Sequence, residues 1–300
     1  MSEVETVNGV APADIETING VAADDIETIN GVDFVTVTPF NEYALKQTES
    51  SPVGYVSILG PSDYHFVDGT TDQPFSLSVW FKTSTTGMFP FLTKGNVQYS
   101  NGSVTPADLE WFFGIYTSSK ILWRLYANDS GSQWISQYSG LDLGLNDGNW
   151  HHIVATYNAN TRANGMFVYV DGSVLAQANN EGGEYGDEYM NNSGQAVLIG
   201  KWDGNSNVMI GYIDEVSVWE KALSSSEVSA IYNSGVPTDL SEHSAASDLV
   251  SWWRMGDNDG GTGTTLTDAA PDRGVGERGP NNGTLNSFAV GDGFSSDSVP

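Results

Sequence analysis

The chain has 300 residues, of which 38 are acidic and only 11 are basic, so its formal net charge at pH 7 is −27, and it contains no cysteine. So acidic a surface excludes nucleic acid as a partner, because that binding depends on Lys and Arg side chains that neutralise phosphates. The lack of cysteine excludes a disulfide framework and a thiolate metal site. No stretch approaches the ~18 apolar residues of a membrane helix, so we expect no membrane insertion. Residues 1–5 carry no basic or apolar run, so we expect no secretory signal.

The N-terminal region contains an internal repeat. The heptapeptide VETVNGV at Val4–Val10 recurs as IETINGV at Ile15–Val21 and Ile26–Val32, at a spacing of eleven residues. Each unit carries Asn-Gly, a strong turn signal, and β-branched residues that weaken helices, so the repeat predicts an extended, turn-punctuated arm over residues 1–33. A right-handed coiled coil is the structural alternative.

An arm of this kind cannot bury much apolar surface alone, because repeat units need stacked neighbours or a partner. We therefore expect it to anchor the protein to a partner; the alternative is a flexible tail. The predicted anchoring residues are Val7, Val10, Ile18, Val21, Ile29 and Val32.

Residues 34–238 alternate short β-prone runs with Pro and Gly breaks, beginning with Phe34–Thr38 and Tyr55–Leu59. Short strands at this spacing with a single helix predict an all-β fold, an antiparallel two-sheet sandwich. The other predicted strands are Phe75–Lys82, Phe89–Thr93, Trp111–Tyr116, Ile121–Tyr126, Gln133–Tyr138, Trp150–Tyr157, Met166–Val170, Val174–Gln177, Ala196–Lys201 and Tyr212–Trp219.

The segment Gly211–Gly235 predicts one strand, a tight turn and one short helix. Ser224 can cap the helix while Glu227 bonds back to it, and Gly235 ends it. Strict alternation along the strand predicts that four residues share one face. Those residues are Tyr212, Asp214, Val216 and Val218.

This closing strand and helix resemble those of laminin-G-like domains, the concanavalin-A-type jelly rolls often found in glycan-binding and adhesive proteins. Phe75–Lys82 (FSLSVWFK) resembles an early core strand of that family, and Trp150–Tyr157 with Met166–Gly172 resembles its central hairpin. The matches run in the family's order over about Asp63 to Gly235 and imply a jelly-roll sandwich. Function belongs to sites and does not follow from the fold.

Residues 239–300 form a C-terminal extension. Its segments Asp248–Asp257 (DLVSWWRMGD), Thr264–Asp272 and Asn281–Leu285 resemble the part that usually opens a laminin-G-like domain, although here they follow the closing helix. The resemblance implies a permuted domain in which this extension supplies a strand to its own sandwich, since domain termini often lie close together. Docking on a neighbouring copy is the alternative.

Asp214 is the candidate metal ligand. Alternation places it with Val216 and Val218 towards the core, where a carboxylate is costly unless it is paired, hydrogen-bonded or metal-bound. The resemblance implies a structural Ca2+ ion held by this aspartate and by the loop before the first core strand, and oxygen-rich ligands suit calcium. The loop residues are Asp68, Gly69 and Asp72. An aspartate that only accepts backbone amides is the alternative.

Glycan contact requires exposed aromatic side chains that stack on sugar rings. The candidates are Trp134, Tyr138, Tyr185, Tyr189 and Trp202. A core position is the alternative for each of them, because most aromatic residues on strands are buried. The loop Asn179–Ser193 is long, acidic and rich in Gly and Tyr, which predicts a variable binding loop.

Enzyme activity is not expected. Glycosidases need two carboxylates across the scissile bond, and the glucanase branch of the jelly-roll clan sets them as Glu-x-Asp-x-x-Glu, which neither Glu184–Glu188 nor Asp214–Glu215 matches. No Gly-rich phosphate loop and no nucleophile elbow is present in the sequence. A polysaccharide-active enzyme with an unrecognised site is the third functional hypothesis.

A lectin-like sandwich, no cysteine and a repeated arm together resemble structural proteins of tailed bacteriophages, particularly those with NGV-type N-terminal repeats and a C-terminal segment like Ser251–Asp257. The resemblance implies a virion surface protein, as head decoration, fibre or tail-associated component. The arm would bind other virion proteins, and the sandwich would face outward to a host-surface glycan. We expect a homo-oligomer. A glycan-binding module of a cellular adhesin is the alternative.

Overall fold

The computed structural model describes residues 17–18, 21–22, 28–29, 32–33, 41–48, 54–95, 98–100, 103–105, 109–117, 119–127, 133–139, 142–160, 163–175, 178–182, 189–202, 208–271, 280–289 and 292–300. The chain divides into two compact units, residues 1–41 and residues 42–300. Within the described ranges, no helix is long and apolar enough to cross a membrane.

The N-terminal unit contains two small β-hairpins. β1 (Thr17–Ile18) pairs with β2 (Val21–Ala22), and β3 (Thr28–Ile29) pairs with β4 (Val32–Asp33). In each hairpin two residues, Asn-Gly in the sequence, separate the strands, as expected for the tightest hairpins. The described residues of the second and third repeats therefore pair as extended strands, in agreement with the predicted extended arm.

Four of the predicted anchoring residues lie in these hairpins, where Ile18 is paired with Val21 and Ile29 with Val32. Val7 and Val10 lie outside the described residues, as does the predicted strand Phe34–Thr38. Anchoring itself stays a prediction.

The larger sheet of the second unit has nine antiparallel strands. In spatial order these are β19 (Ala178–Gly182), β15 (Trp134–Tyr138), β14 (Lys120–Tyr126), β13 (Trp111–Thr117), β10 (Phe89–Lys94), β20 (Val197–Ile199), β6 (Tyr55–Ile58), β24 (Gly283–Asn286) and β23 (Thr265–Leu266).

The other sheet has eight strands, and the two sheets confirm the predicted antiparallel sandwich. Its strands are β18 (Ser173–Val174), β17 (Met166–Val170), β16 (Trp150–Tyr157), β9 (Phe75–Lys82), β21 (Gly211–Trp219), β5 (Ala44–Gln47) and β25 (Gly293–Ser295), with β22 (Leu249–Trp253) also paired to β21. Two further hairpins are β7 (Val67–Asp68) with β8 (Thr71–Asp72), and β11 (Gln98–Ser100) with β12 (Ser103–Thr105).

The main core lies between the two sheets. Alternate residues of β9, beginning with Phe75, belong to it, and Phe75 stacks on Phe66 with ring centroids 4.1 Å apart. Phe75 also meets Trp123 of the larger sheet edge-on at 5.4 Å. Each of these aromatic side chains buries ~150–250 Å², so together they contribute strongly to the stability of the core.

The one α-helix of the described residues, α1 (Ser225–Tyr232), packs on the outer face of the eight-stranded sheet. Its predicted capping box is confirmed, because Ser224 Oγ accepts from Glu227 N at 3.3 Å and Glu227 Oε2 accepts from Ser224 N at 2.8 Å. The helix ends earlier than predicted: Asn233, at φ 44°, supplies the left-handed cap instead of Gly235. Short 3-10 helices span Pro61–Tyr64, Ala163–Gly165, Asn233–Gly235, Leu240–Glu242 and Ala246–Asp248.

The C-terminal extension contributes strands to both sheets of its own chain. β22 pairs with β21, β24 pairs with β6 and β25 pairs with β5. Strand β21 pairs with β9 along one edge. Its other edge pairs first with β5, over Gly211–Ile213, and then with β22, over Val216–Trp219.

The point where β21 changes neighbours is a β-bulge. Glu215 has φ 47°, and the register with β9 shifts between Asp214 and Ser217. Val216 belongs to the main core, but Asp214 is paired opposite Trp80, whose ring stacks on Tyr232 of α1. Directly opposed residues share a face, so Asp214 faces the helix side. The prediction that it shares a face with Val216 and Val218 is wrong, because the bulge interrupts the alternation.

Candidate functional site

An aromatic cluster covers the outer face of the nine-stranded sheet. Strands β13, β14 and β15 put alternate residues into the main core, so the residues between them face outward. The register sets Tyr126 opposite Trp134 and Leu122 opposite Tyr138. We call the following set the aromatic face: Phe112, Tyr126, Trp134, Tyr138 and Trp202.

Trp202 comes from a different part of the chain, just after β20. Its ring centroid lies 5.0 Å from that of Phe112, which is fully buried. Trp134, Tyr138 and Trp202 are only half-buried and pack against a buried base of Leu109, Phe112, Leu122 and Tyr126. The base fixes the three rings and leaves part of each ring in contact with solvent.

Two cations lie among these rings. The Arg124 guanidinium carbon is 4.8 Å from the Trp134 ring centroid, and Lys120 Nζ is 5.7 Å from that of Tyr138. Both distances fall within the range of cation–π attraction. The face therefore combines aromatic surface with positive charge in a chain that has little of it.

Three N–H donors at the aromatic face have no hydrogen-bond acceptor within the described part of the chain. They are Arg124 Nε, Trp134 Nε1 and Trp202 Nε1, all buried from solvent. A buried donor without a partner costs about 1–3 kcal/mol. Donors of this kind call for an acceptor from outside the described residues, such as an ordered water, an ion or a ligand.

A buried ion pair supports one end of the face. Lys94 Nζ donates to Glu110 Oε1 at 2.5 Å, and neither side chain is exposed to solvent. The same carboxylate oxygen accepts from the backbone and hydroxyl of Ser193 at 2.7 and 2.8 Å. Burial raises the pKa of Glu110 and lowers that of Lys94, while their contact favours both charged forms. Through Glu110, which directly precedes β13, the pair is linked to Ser193.

The structure brings together three of the five predicted ligand-binding residues, Trp134, Tyr138 and Trp202. Tyr189 is half-buried beside Met190, which bridges Ala127 at the end of β14. Tyr185 lies outside the described residues. Ligand binding by any of them stays a prediction.

Sequence reasoning missed Phe112 and Tyr126 of the aromatic face and the neighbouring Arg124. Strands β13 and β14 carry aromatic or aliphatic residues on both sides, so alternation alone did not assign Phe112 and Tyr126 to the outer face. The predicted binding loop Asn179–Ser193 is also corrected in part. Its first residues belong to β19, which pairs with β15 at the sheet edge next to Trp134.

The predicted calcium ligands do not form one site. Asp72 is buried, and its carboxylate accepts from the Tyr157 hydroxyl at 2.5 Å and from Met190 N at 2.7 Å. Asp68 and Gly69 are exposed on the hairpin that contains Asp72.

Asp214 lies far from that hairpin. It is paired opposite Trp80, five residues along β9 from Phe75, which corresponds to ~16 Å at the rise of a strand. Asp214 Oδ1 accepts from Glu215 N at 2.7 Å. The shared calcium site therefore does not fit the arrangement, and across the described residues no group of three or more His, Cys, Asp or Glu side chains is placed to hold a metal ion.

Comparison with protein families accounts for the fold. Residues 56–229 match the Laminin_G_3 family, described as the Concanavalin A-like lectin/glucanases superfamily. The chain belongs to this family. The match spans more than half of the chain and includes β6 through most of α1, so the sandwich is lectin-like in fold. It ends before the C-terminal strands that the chain adds to both sheets.

One solved structure shows the same fold at low sequence identity, and a second shows a weaker likeness. A candidate carbohydrate-binding protein from Bacteroides ovatus ATCC 8483 is 15% identical with a TM-score of 0.54; the alignment covers 90% of this chain but 65% of that one. A heptameric SAP-like pentraxin from Limulus polyphemus is 17% identical with a TM-score of 0.41, covering 63% of this chain and 80% of that one. No curated protein sequence matches this chain significantly.

Proposed function

We propose that this laminin-G-like sandwich binds a glycan through the aromatic face. The observation that carries the proposal is that the half-buried rings of Trp134, Tyr138 and Trp202 pack on one buried base, beside the donor Arg124 Nε, which has no acceptor among the described residues. Ligand sites combine apolar or aromatic surface with a few fixed polar groups. A sugar supplies both complements, because its C–H faces pack on rings and its oxygens accept hydrogen bonds. Carbohydrate is also the ligand class assigned to the Bacteroides ovatus protein of similar fold.

The proposed activity is binding of the glycan without cleavage. Glycoside hydrolysis needs two carboxylates facing the scissile bond, whereas the charged groups packed against the aromatic rings are Arg124 and Lys120. The check is release of reducing sugar from each polysaccharide that the protein binds. Sustained release would make the sandwich an enzyme.

The glycan experiment is a binding screen on a glycan array, followed by titration of the best ligand. Trp134→Ala should weaken binding by about 2 kcal/mol or more, as for a buried aromatic anchor. Phe167→Ala is the matched control, because Phe167 is 41% exposed on the opposite sheet. Equal loss in both variants, or none in Trp134→Ala, would contradict the assignment of the site.

We also propose that the protein is a structural component of a virion surface, held by the N-terminal arm and displaying the sandwich, as a homo-oligomer. The support is the repeat itself, whose hairpins have strands of only two residues. Hairpins this small are not stable alone, so they need a partner surface. Mass spectrometry of purified particles, and incorporation of a chain lacking residues 1–33, test this role. Normal incorporation of the shortened chain would remove the anchoring proposal.

A further inference from the structure

A row of alternating aromatic and lysine residues crosses the outer face of the eight-stranded sheet, opposite in the sandwich to the aromatic face. Trp150 is paired with Lys82, Lys82 with Tyr212, and Tyr212 with Lys46. Directly opposed residues share a face, so all four side chains lie side by side; each is half-buried. Lys82 Nζ is 5.9 Å from the Tyr212 ring centroid, and the Trp150 and Tyr212 centroids are 6.1 Å apart.

The chain's own residues 297 and 298 lie against this row. Asp297 forms an ion pair with Lys46. The Ser298 hydroxyl oxygen accepts from Lys82 Nζ at 3.0 Å and from Trp150 Nε1 at 3.1 Å. A carboxylate and a neighbouring hydroxyl are therefore the groups that the row binds within its own chain.

No carboxylate within the described ranges is paired with Lys82, whereas Lys46, Lys94 and Lys221 each have a carboxylate partner. Lys120, on the other sheet, likewise forms no ion pair with an acidic residue of those ranges. The chain carries a net charge of −27. A half-buried lysine whose polar contact is a neutral hydroxyl can accept an anionic group from outside.

A pocket opens beside Lys82 and Tyr212. Its volume is about 240 Å³, and its wall also includes the hydroxyl side chains of Thr48, Thr83, Ser84 and Thr85. This volume lies just below the range of about 300–1,000 Å³ that is usual for ligand pockets, so the pocket can hold only a small ligand. Thr83 Oγ1 is held by donation to Ile210 O at 2.7 Å, which orients this part of the wall.

We propose that the pocket and the row form a second ligand site, specific for a saccharide that carries a carboxylate, such as a uronic acid. Lys82 binds the carboxylate, the rings of Tyr212 and Trp150 contact the sugar, and the hydroxyl-lined wall meets its hydroxyl groups. Asp297 and Ser298 compete with the ligand for the row. Asp292 accepts from the backbone N and the hydroxyl of Thr48 at 3.1 and 2.9 Å, at the far side of the pocket wall, so the ligand carboxylate must be held on the Lys82 side. Carboxylates further away are screened beyond a Debye length of about 8 Å at physiological salt.

The test is a saturation-transfer NMR titration of the full chain with sodium D-glucuronate at about 150 mM ionic strength, with D-glucose as the uncharged comparison. Saturable glucuronate binding is expected, stronger than binding of glucose. Lys82→Met keeps the apolar stem and removes the charge, so it should weaken glucuronate binding at least about tenfold. Lys221→Met removes an equal charge elsewhere and should leave binding unchanged. Asp297→Asn, which frees the row, should strengthen it.

Absence of saturable glucuronate binding by the folded protein overturns the proposal, and so does equal binding by Lys82→Met and the unmodified chain. Melting curves establish that each variant is folded. Trp134→Ala separates the two sites, because it removes the aromatic face on the other sheet and should leave glucuronate binding intact. Loss of glucuronate binding in Trp134→Ala alone would assign the ligand to the aromatic face and overturn the second site.

Discussion

Arg254 donates a hydrogen bond from Nε to Oε1 of Glu215 over 3.2 Å, inside the bulge of β21. Trp252 donates from Nε1 to the other oxygen of Glu215 over 2.5 Å. Arg254 also pairs with Asp257 at 3.3 Å, and Asp257 accepts from the backbone of Glu42 at 2.7 Å. This cluster joins the bulge to the C-terminal extension and to the residues just before β5.

The cluster makes stability depend on pH. Burial raises the pKa of Glu215 from 4.5 to about 7, although Arg254 favours the carboxylate. Between pH 4.5 and 7 the folded state therefore binds more protons at this site than the unfolded state. Stability from Glu215 is full below pH 4.5 and falls as pH rises through 7, by about 3 kcal/mol. Glu215→Gln should remove this dependence. Compared with the unmodified protein at the same pH, the variant should gain stability between pH 5 and pH 8.

The measurement is urea unfolding of both proteins from pH 4.5 to 8, compared as a difference at each pH. Glu227→Gln is the control, because hydrogen bonds and the contact with Lys221 lower the pKa of Glu227 to about 2 against its burial. Its contribution is lost only as pH falls from about 4.5 through 2, so its difference should stay flat above about pH 5. An equally flat difference for Glu215→Gln would contradict the raised pKa.

Two adjacent histidines should titrate in opposite ranges. Hydrogen bonding to Asp171 raises the pKa of His151, whereas burial lowers that of His152 to about 3. His152 Nε2 lies 2.8 Å from Ser78 Oγ, and its ring is 4.9 Å from that of Trp80. Imidazole NMR signals should therefore show His151 titrating above pH 6.5 and His152 remaining neutral down to about pH 4.

The same shift of His152 has a consequence for stability. The folded pKa is depressed, so this contribution is full above pH 6.5 and is lost as pH falls towards 3. Between pH 4.5 and 6.5 the contribution of His152 changes stability in the direction opposite to that of Glu215. The urea experiment on Glu215→Gln therefore compares the variant with the unmodified protein at each pH, so that the contribution of His152 cancels. A His152 signal that titrates near pH 6.5 would show that the ring is exposed to solvent.

The sandwich could be predicted from the sequence because its strands are regular. Phe75–Lys82 and Trp150–Tyr157 occur with the predicted bounds, since each has a full apolar face and β-branched or aromatic residues. The bulge in β21 could not be predicted in this way. Glu215 adopts a positive φ without a glycine there to mark it, and the reversal of Asp214 follows from the bulge.

The candidate site was predictable only in part. Trp134 and Trp202 were candidates as aromatic residues near loops. Their packing against the same cluster depends on β20 pairing with β10, a contact between residues about 100 positions apart. The sequence did not identify Lys82 as a ligand-binding residue, because it is only the last residue of a core strand. Its role in the proposed second site depends on Trp150 and Tyr212, which the fold places on either side of it.

The separation of Asp214 from Asp72 predicts the effect of calcium removal. The melting temperature of the sandwich should be the same in 1 mM CaCl2 and in excess EDTA, for the unmodified chain and for Asp214→Asn. Asp72→Asn should lower stability by about 2 kcal/mol in both solutions, because an amide oxygen cannot replace both hydrogen bonds of the carboxylate. Melting curves recorded in both solutions check this. A lower melting temperature in EDTA that Asp214→Asn abolishes would restore the calcium site.

The C-terminal extension should be essential for the stability of the sandwich. Trp253 is fully buried in the main core and donates from Nε1 to Asn281 O at 2.9 Å. Trp252 lies on the opposite face of β22, in the cluster under α1, where it bonds to Glu215. Truncation of a core aromatic typically costs about 3–5 kcal/mol, so we expect that loss from Trp253→Ala in urea unfolding. Phe167→Ala should change stability by less than about 0.5 kcal/mol.

Removal of the whole extension should have a larger effect. A chain that ends at Asp239 lacks β22, β24 and β25, which leaves edges of β21, β6 and β5 unpaired and their apolar sides exposed. Such edges template aggregation, so this shorter chain should be insoluble or strongly destabilised. A peptide spanning residues 248–285 should partly rescue it by restoring β22 and β24. If the shorter chain melts at the temperature of the full chain, the extension does not stabilise the sandwich and its pairing with both sheets carries no structural role.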